Sequence, residues 1–290
     1  MAVDFTFTSA QGEVLSLTSG ENFKLINIDQ QTAATASLST VVTGGVDGDY
    51  VNNAQAQPRS IVLDLRIISE VEKTKRLLLQ YFKLKKQGIL TWTQNERTLQ
   101  IQGMVESIEL PRWTNAALMQ ITIHCSQPFW ETVDYIVNEL REFFGLHYFT
   151  DYPNDMLYFS EEGIPFGVYD TTKTQRYYNN GDVAVGLEIE IEALDTCTNP
   201  IIYNQDGEFF GCGYGDRNKQ IVMQTGDIIK INTRKNEKYA ELNGTSILDK
   251  IKPSSTWLQL VAGENVFSFN SDEDSLTNMR ITFTYKFLYV

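Results

Sequence analysis

Alternating apolar and polar positions dominate the first 128 residues and predict β-strands. In VDFTFT the side chains of Val3, Phe5 and Phe7 share one face, and the same period of two runs through SIVLDLRI (60–67) and ALMQITIHC (117–125). In TLQIQGMVESIEL (98–110) the apolar face changes phase after Val105, which predicts a β-bulge near Ser107. The first half of the chain is therefore expected to be a β-rich domain.

One helix is predicted between these strands, over SEVEKTKRLLLQYFKLKKQG (69–88). Ser69 is a candidate N-cap, acidic residues occupy the first turn, lysines crowd the last turn, and Gly88 follows as a terminator. The stripe expected to pack on the sheet consists of Val71, Leu78, Tyr81 and Phe82.

Residues 30–58 differ from the sequence around them. They are mostly small or polar, they include no Lys or Arg, and their only charges are Asp47 and Asp49. The run GGVDGDY (44–50) is typical of a hairpin tip. Because the segment has too little apolar mass for a core of its own, two interpretations stand: a flexible loop, or an arm that becomes ordered only against neighbouring subunits.

Residues 129–178 are predicted to form a helical, aromatic-rich junction. In ETVDYIVNELREFFG (131–145) apolar residues recur at helical spacing, namely Val133, Ile136, Val137, Leu140 and Phe144. Fourteen aromatic residues lie between positions 129 and 178. That is too many for a solvated linker, so these rings are expected to pack on a domain or on a partner.

From residue 179 to residue 290, short alternating segments are separated by the turn signals NNGD, NQDG, TGD, LNG and AGEN. This pattern predicts an antiparallel β-sandwich. Within it, STWLQLVAGENVFSF (255–269) predicts a hairpin whose turn is shaped by Gly263 and Asn265. The core is predicted to take side chains from both strands of this hairpin: Trp257, Leu258 or Leu260, and Phe267 or Phe269.

Length and charge support two domains, because 290 residues exceed the usual size of one core. Residues 1–128 hold 12 acidic and 11 basic residues, whereas residues 129–290 hold 25 and 13 of the total of 37 and 24. The net charge of −13 thus lies almost entirely in the second half, and it argues against sequence-specific nucleic-acid binding. Three cysteines without a CxxC pair indicate a reducing compartment, and we expect neither a secretory signal nor a membrane span.

No catalytic constellation is found in the sequence, which lacks GxSxG, HExxH, GxxxxGK[ST] and CxxC. The two histidines, His124 and His147, have no evident catalytic partner. GCGYGD (211–216) enters a β pattern instead of opening a helix, so it is weak as a nucleotide motif. NSDEDS (270–275) lacks the spacing of a calcium loop. We therefore expect no enzyme activity, no cofactor and no metal.

Several segments resemble the distal tail proteins of phages that infect Gram-positive bacteria. The C-terminal order is TGDIIKINT (225–233), which includes Gly226 and Asp227, then LNG (242–244), then a Ser-x-x-Trp-Leu-x-Leu-x-x-Gly-x-Asn run from Ser254 to Asn265. In the first half, ITIHCSQPFW (121–130) resembles the family's strand that ends in Cys-x-x-Pro-aromatic, and WTQNERTLQIQGMV (92–105) resembles its Arg…Gly hairpin. The resemblance extends over nearly the whole chain, although NNGDVAVG (179–186) lacks the family's proline and the junction is longer than usual.

The resemblance implies a mainly β, α+β first domain, a tail-tube-like split β-barrel with one helix, followed by a galectin-like antiparallel β-sandwich. It also implies a structural hub of the virion tail: a hexameric ring that connects the tail tube to the tail tip or baseplate and lets DNA pass. Implied partners are further copies of the chain, the tail tube protein, the tape measure, a tail-associated hub or lysin protein and, as a further candidate, a receptor-binding protein. The residues expected to form the intersubunit or lumen-facing arm are Thr43, Gly44, Gly45, Val46, Asp47, Asp49 and Tyr50.

An alternative function is a peripheral carbohydrate-binding module that recognises the host cell wall. The usual galectin sugar site needs a histidine in the sandwich, and both histidines lie before residue 148. A site built on tyrosine or tryptophan rings remains open.

Overall fold

The computed structural model describes residues 3–29, 34–42, 44–45, 47–110, 117–139, 143–145, 167–169, 174–215, 218–273 and 278–290. The chain forms two compact units, Met1–Asp134 with Leu288–Val290, and Tyr135–Phe287. The division falls a few residues beyond the boundary expected after residue 128. The last three residues return to the first unit, which no sequence pattern indicated.

The first unit contains a helix, α1 (Val71–Tyr81), and a set of antiparallel strands: β1 (Val3–Thr8), β2 (Val14–Ser16), β3 (Phe23–Asp29), β4 (Ala36–Val41), β5 (Tyr50–Ala56), β6 (Arg59–Ile67), β7 (Gln87–Gln94), β8 (Arg97–Glu109), β9 (Ala117–Cys125) and β10 (Trp130–Thr132). The main sheet has the order β2-β1-β7-β8-β9-β6-β3, and β10 pairs with β8 and with a C-terminal strand over Leu288–Tyr289. The described strands form an open path and not a closed barrel.

The predicted strand faces form the core of this unit. Phe5, Phe7 and the alternating apolar positions of β6 and β9 are all buried. The register of β8 against β9 shifts between Val105 and Ser107, so the predicted bulge is confirmed. Burial of apolar surface stabilises the fold by about 25 cal/mol per Å², so this alternation is the main determinant of the sheet's register.

The helix is shorter than its sequence pattern suggested. It ends at Tyr81, and residues from Gln87 onward are the strand β7. Ser69 is not the N-cap: Glu70 holds that position with φ 46°, while the Ser69 hydroxyl bonds Asn22 Oδ1 at 2.6 Å. Gly88 does not terminate a helix either. It faces Gly103 across β7 and β8, where a methyl group would overlap the Phe7 ring.

The second unit is composed of antiparallel strands and a 3-10 turn over Leu248–Lys250. Its strands are β11 (Ile136–Glu139), β12 (Phe143–Gly145), β13 (Gly167–Tyr169), β14 (Thr174–Asn179), β15 (Val185–Gly186), β16 (Glu188–Ala193), β17 (Cys197–Thr198), β18 (Ile201–Asn204), β19 (Phe209–Gly211), β20 (Val222–Met223), β21 (Ile228–Asn232), β22 (Tyr239–Leu242), β23 (Thr245–Ser246), β24 (Gln259–Leu260), β25 (Gly263–Asn270) and β26 (Met279–Tyr285); the strand Leu288–Tyr289 of the first unit is β27.

Two sheets of this unit pack face to face. One has the order β11-β26-β16-β21-β22-β23 and the other β14-β25-β18-β19. Phe283 of the first sheet contacts Phe267 and Tyr177 of the second, with ring centroids 5.0 and 5.5 Å apart. The predicted antiparallel sandwich is therefore confirmed, with alternating residues of both sheets as its core.

The prediction of a helix in the junction is wrong for the described part of residues 129–145. The chain forms β10 over Trp130–Thr132 and β11 over Ile136–Glu139. Ile136 pairs with Tyr285 and Glu139 with Thr282, so β11 gains its backbone hydrogen bonds from β26. The apolar spacing would favour a helix only if its residues were buried, but Val133 and Val137 are exposed. Pairing with the sheet edge therefore decides the conformation. Leu140 and most of the aromatic-rich stretch lie outside the described residues.

An exposed arm and two turn motifs

The arm predicted over residues 30–58 is a two-stranded hairpin. β4 and β5 pair from Ala36↔Ala56 to Val41↔Tyr50, with a register shift between Ser39 and Thr40. Every residue of both strands is exposed. Within the described part of the chain, β4 and β5 pair only with each other.

The tip of the arm is shaped by turn residues. Gly44 and Gly45 lie in a turn, with φ 88° at Gly45, which favours glycine. Asp47, Asp49 and Tyr50 are exposed on the far side of this turn, and Tyr50 retains 63% of its accessible surface. Thr43 and Val46, also predicted for this arm, lie outside the described residues.

The arm exposes apolar as well as acidic groups. Its large exposed apolar side chains are Leu38, Val41, Val42, Tyr50 and Val51. An isolated two-stranded hairpin is at best marginally stable in water, and its outer edges leave backbone N–H and C=O groups unpaired. Chemically, this hairpin is suited to strand pairing with another chain.

The first turn motif surrounds Gly226 and Asp227. Gly226 has φ 90°, and its N–H donates to the Ala193 carbonyl at 2.8 Å. The Asp227 carboxylate accepts from the Gln224 N–H and from the Asn243 side-chain amide, at 2.7 and 2.8 Å. These two hydrogen bonds lower the pKa of Asp227. The motif is structural. The LNG sequence predicted a turn at Asn243, but its hydrogen bond to Asp227 could not be predicted from the sequence.

The second motif lies in the segment predicted to be a hairpin, and that prediction is wrong. β24 pairs with β15 through Leu260↔Val185, whereas β25 pairs with β14 and β18. The two segments belong to different sheets, and an asparagine closes the loop between them. Asn265 accepts from the Val261 N–H and donates to the carbonyls of Val261 and Gly263, at 2.8, 2.7 and 2.9 Å.

The predicted core residues of this segment are mostly buried. Leu258 and Leu260 are fully buried, and Phe267 and Phe269 are 5% exposed or less. Trp257 is only half-buried. Its ring lies 5.0 Å from Phe210 and 5.4 Å from the Lys238 ammonium, at the margin of the sandwich. Gly263 has φ 92°, which favours glycine, and it is the first residue of β25.

One buried cation was not predicted from the sequence. Arg59 is 4% exposed, and none of its guanidinium nitrogens has a hydrogen-bond partner. Its Cζ lies 5.7 Å from the Trp130 ring centroid, and burial lowers its pKa. A signal was present, because Arg59 continues the buried face of Ile61, Leu63 and Leu65.

The polar groups considered for chemistry have structural surroundings. Cys125, Cys197 and Cys212 are free, buried thiols, and burial raises the pKa of Cys125 to about 11. His124 Nδ1 lies 3.4 Å from Ser60 Oγ, and His147 is outside the described residues. Within the described ranges, no group of three His, Cys, Asp or Glu side chains could hold a metal ion.

The acidic run 270–275 is partly committed to hydrogen bonds. Glu273 accepts from the Thr198 N–H at 2.9 Å, and Asp272 accepts from the Asn199 amide at 2.6 Å. Burial opposes ionisation of Glu273, but its hydrogen bonds, chiefly from Thr198, hold its pKa below the usual value. Asp274 lies outside the described residues. Elsewhere, no helix in the described ranges has the length and apolar character needed to cross a membrane.

Comparison with known proteins gives matches to both units. Residues 10–125 match the phage tail protein RIFT-related domain, and residues 180–287 match the siphovirus-type tail component, C-terminal domain. A search of functionally curated proteins gives no significant match.

Solved structures show the same fold. Dit of phage SPP1, described as a paradigm of the hub adsorption apparatus in phages that infect Gram-positive bacteria, has a TM-score of 0.64 at 13% identity, with 99% of this chain and 100% of that chain covered. A chain of the phage P2 baseplate, in its activated conformation with Ca, has a TM-score of 0.50 at 14% identity, with 99% and 98% covered. The two matched phage tail domains together cover most of the chain, so this protein belongs to the siphovirus-type distal tail proteins, structural components of the phage tail hub and baseplate.

Proposed function

We propose that the first unit assembles with copies of itself into a hexameric ring, and that the arm formed by β4 and β5 pairs between neighbouring subunits. The observation that carries this proposal is the full exposure of both arm strands. A hairpin with five exposed large apolar side chains and two unpaired edges gains stability only when another surface covers it.

The ring would be the joint between the tail tube and the tail tip, with DNA passing through its centre. The absence of Lys and Arg from residues 30–58 supports a lumen-facing arm. Basic side chains there would bind phosphates and hold the DNA during passage. The tube protein, the tape measure, a hub or lysin protein and a receptor-binding protein are the proposed neighbours.

The hub acts by binding and positioning other tail proteins, without catalysis. This part of the proposal is supported by the structural role of the family. It is also supported by the positions of the candidate groups: Cys125, Cys197 and Cys212 are buried thiols, and Asp227 and Glu273 accept backbone hydrogen bonds.

Light scattering on the purified chain, with negative-stain images of the same peak, tests the ring. The expected mass is six times 33.0 kDa, with ring-shaped particles. The double variant Leu38→Asp, Val51→Asp should be folded but should lose the ring, because both side chains are exposed in the subunit.

The matched control is Val222→Asp, Leu248→Asp, which places the same two charges at exposed apolar positions of the second unit. It should retain the sixfold mass. A wild-type chain that stays monomeric at all concentrations, alone and with the tube protein, would contradict the ring. A ring that survives in the arm variant would contradict the role of the arm.

A further inference from the structure

A polar cleft of about 370 Å³ opens on the second unit, beside β18, β19 and the loop after β25. This volume is within the range of small-molecule sites. The side chains that line it include Tyr203, Tyr214, Gln220, Lys252, Asn270 and Asp272. None of them belongs to the arm or to the two turn motifs described above.

Part of the cleft wall comes from the glycine-rich sequence GCGYGD. Gly211, Gly213 and Gly215 of GCGYGD all line the cleft. A side chain at Gly213 would overlap the Asn199 amide, whereas a methyl group at Gly215 would meet no atom within 4 Å. The wall is therefore backbone, which a ligand can approach closely.

One side of the cleft is held rigid by hydrogen bonds. Asn199 Oδ1 accepts from the Ile221 N–H at 3.0 Å, and Asn199 Nδ2 donates to Asp272 Oδ2 at 2.6 Å. On another side, the Lys252 ammonium lies 5.0 Å from the Phe209 ring, and Tyr203 packs on the same ring at 5.8 Å. These contacts fix the positions of Asp272, Lys252 and Tyr203 before any ligand binds.

Other polar groups of the cleft are available for a ligand. Asn270 Oδ1 has no hydrogen-bond partner, but it is shielded from solvent and therefore also from a ligand in the cleft. Within the described residues, the hydroxyls of Tyr203 and Tyr214 and the side-chain amide of Gln220 also make no hydrogen bond to another side chain. A ligand hydroxyl could form hydrogen bonds with the two tyrosine hydroxyls and the Gln220 amide without displacing a side-chain hydrogen bond.

The chemistry of these groups selects the class of ligand. Donors and acceptors are mixed, the one lysine is matched by Asp272, and two tyrosine rings add apolar faces. A phosphate or a polyanion would need more cations, and the second half of the chain instead has an excess of 12 acidic residues over basic ones, 25 against 13. We propose that this cleft binds a neutral saccharide, such as a pyranose unit of a glycan on the bacterial surface.

Saturation-transfer NMR on the full chain tests the proposal with a defined set of probes. The neutral probes are glucose, galactose, rhamnose and N-acetylglucosamine, and the anionic comparators are glucuronic acid and glucose 6-phosphate. Transfer to at least one neutral sugar is expected, with little or none to the anions. Tyr214→Ala and Gln220→Ala should each weaken binding about tenfold, as expected when a ligand hydrogen bond and its contact are lost.

Tyr178→Ala is the matched control, because Tyr178 is an exposed tyrosine of the same unit that does not line the cleft. It should bind like the wild type, and circular dichroism should show all three variants folded. No transfer to any neutral sugar, preferential transfer to the anions, or equal binding in Tyr214→Ala and the wild type would each overturn the proposal. The mass of the assembly is measured separately, so failure here leaves the ring proposal unaffected.

Discussion

The carboxylate of Asp227 accepts a hydrogen bond from the side-chain amide of Asn243, with 2.8 Å between Oδ1 and Nδ2. This bond links the turn before β21 to the turn after β22. Asn243 Oδ1 in turn accepts from the Ile228 N–H at 2.9 Å. The Asn243 side chain therefore bonds both the Asp227 carboxylate and the backbone amide of the next residue. Asp227 and Asn243 are 16 positions apart in the sequence, yet the TGD and LNG turns form one structural element.

Asp227→Asn should destabilise the second unit at pH 7, and this effect should shrink in acid. The hydrogen bonds from Gln224 and Asn243 lower the folded-state pKa of Asp227. Its contribution is therefore complete above the unfolded-state pKa of about 3.9 and is lost as the pH falls through the folded-state pKa. Thermal unfolding of both proteins from pH 7 to pH 2.5 measures this difference, and a gap that does not change with pH would refute the linkage.

Asn265→Ala should lower the free energy of unfolding by about 1–3 kcal/mol, because the backbone groups at Val261 and Gly263 lose three hydrogen bonds to this buried side chain. Asn265→Asp is the matched variant. It keeps the acceptor for the Val261 N–H but loses both donated bonds, so it should also be destabilised. Urea unfolding gives the values, and a loss below about 0.5 kcal/mol for the alanine variant would show that water replaces the amide.

Gly88→Ala should cost about 1–3 kcal/mol, because the added methyl group overlaps the stacked Phe7 ring. Gly44→Ala is the control: no atom lies within 4 Å of its added methyl group. Urea unfolding should therefore separate the two variants clearly. Equal stabilities would mean that Phe7 and its partner Phe82 move aside at little cost.

Arg59→Met should leave the stability unchanged or raise it by about 1–4 kcal/mol, because it removes a buried charge that lacks a counterion. The lost contact with the Trp130 ring is worth about 2 kcal/mol, less than the desolvation cost of the guanidinium, which is several kcal/mol. Arg97→Met is the control. Arg97 is exposed, so its removal recovers no desolvation cost, and the lost contact with the Tyr289 ring should lower the stability slightly. A large loss of stability in Arg59→Met alone, measured by urea unfolding, would contradict this account.

Lysines in the arm should slow DNA ejection if the arm faces the conduit. The variant Thr43→Lys, Val46→Lys, Asn52→Lys adds three cations to a segment that has none. Glutamine at the same three positions controls for side-chain length. Dye-monitored ejection from virions carrying each variant measures the rate, and equal rates in both would exclude a lumen position for these residues.

The sequence predicted the strands with period-two alternation most accurately. β1, β6, β8 and β9 follow the predicted faces, and even the bulge after Val105 could be predicted, because a change of phase on a half-buried strand must be absorbed in the backbone. The composition of residues 30–58, too poor in apolar residues for a core, left a flexible loop and an arm as alternatives, and the structure has a hairpin there.

Tertiary pairing decided the segments in which local preference and long-range contact disagree. β11 carries a helical spacing but is a strand, because β26 offers it a free edge. The segment 255–269 has the pattern of a hairpin, yet its two strands join different sheets across the loop that Asn265 closes.

By itself, the sequence therefore determined the strand-rich class of fold and the two units, because these depend on local periodicity, length and composition, and the order of its motifs indicated the family. Only the tertiary structure decided which strands pair, which turns are joined through Asp227 and Asn243, and that Tyr203, Gln220 and Asn270 line one cleft. Those relationships connect residues far apart in the chain, and local preference carries no information about a partner that only folding brings near.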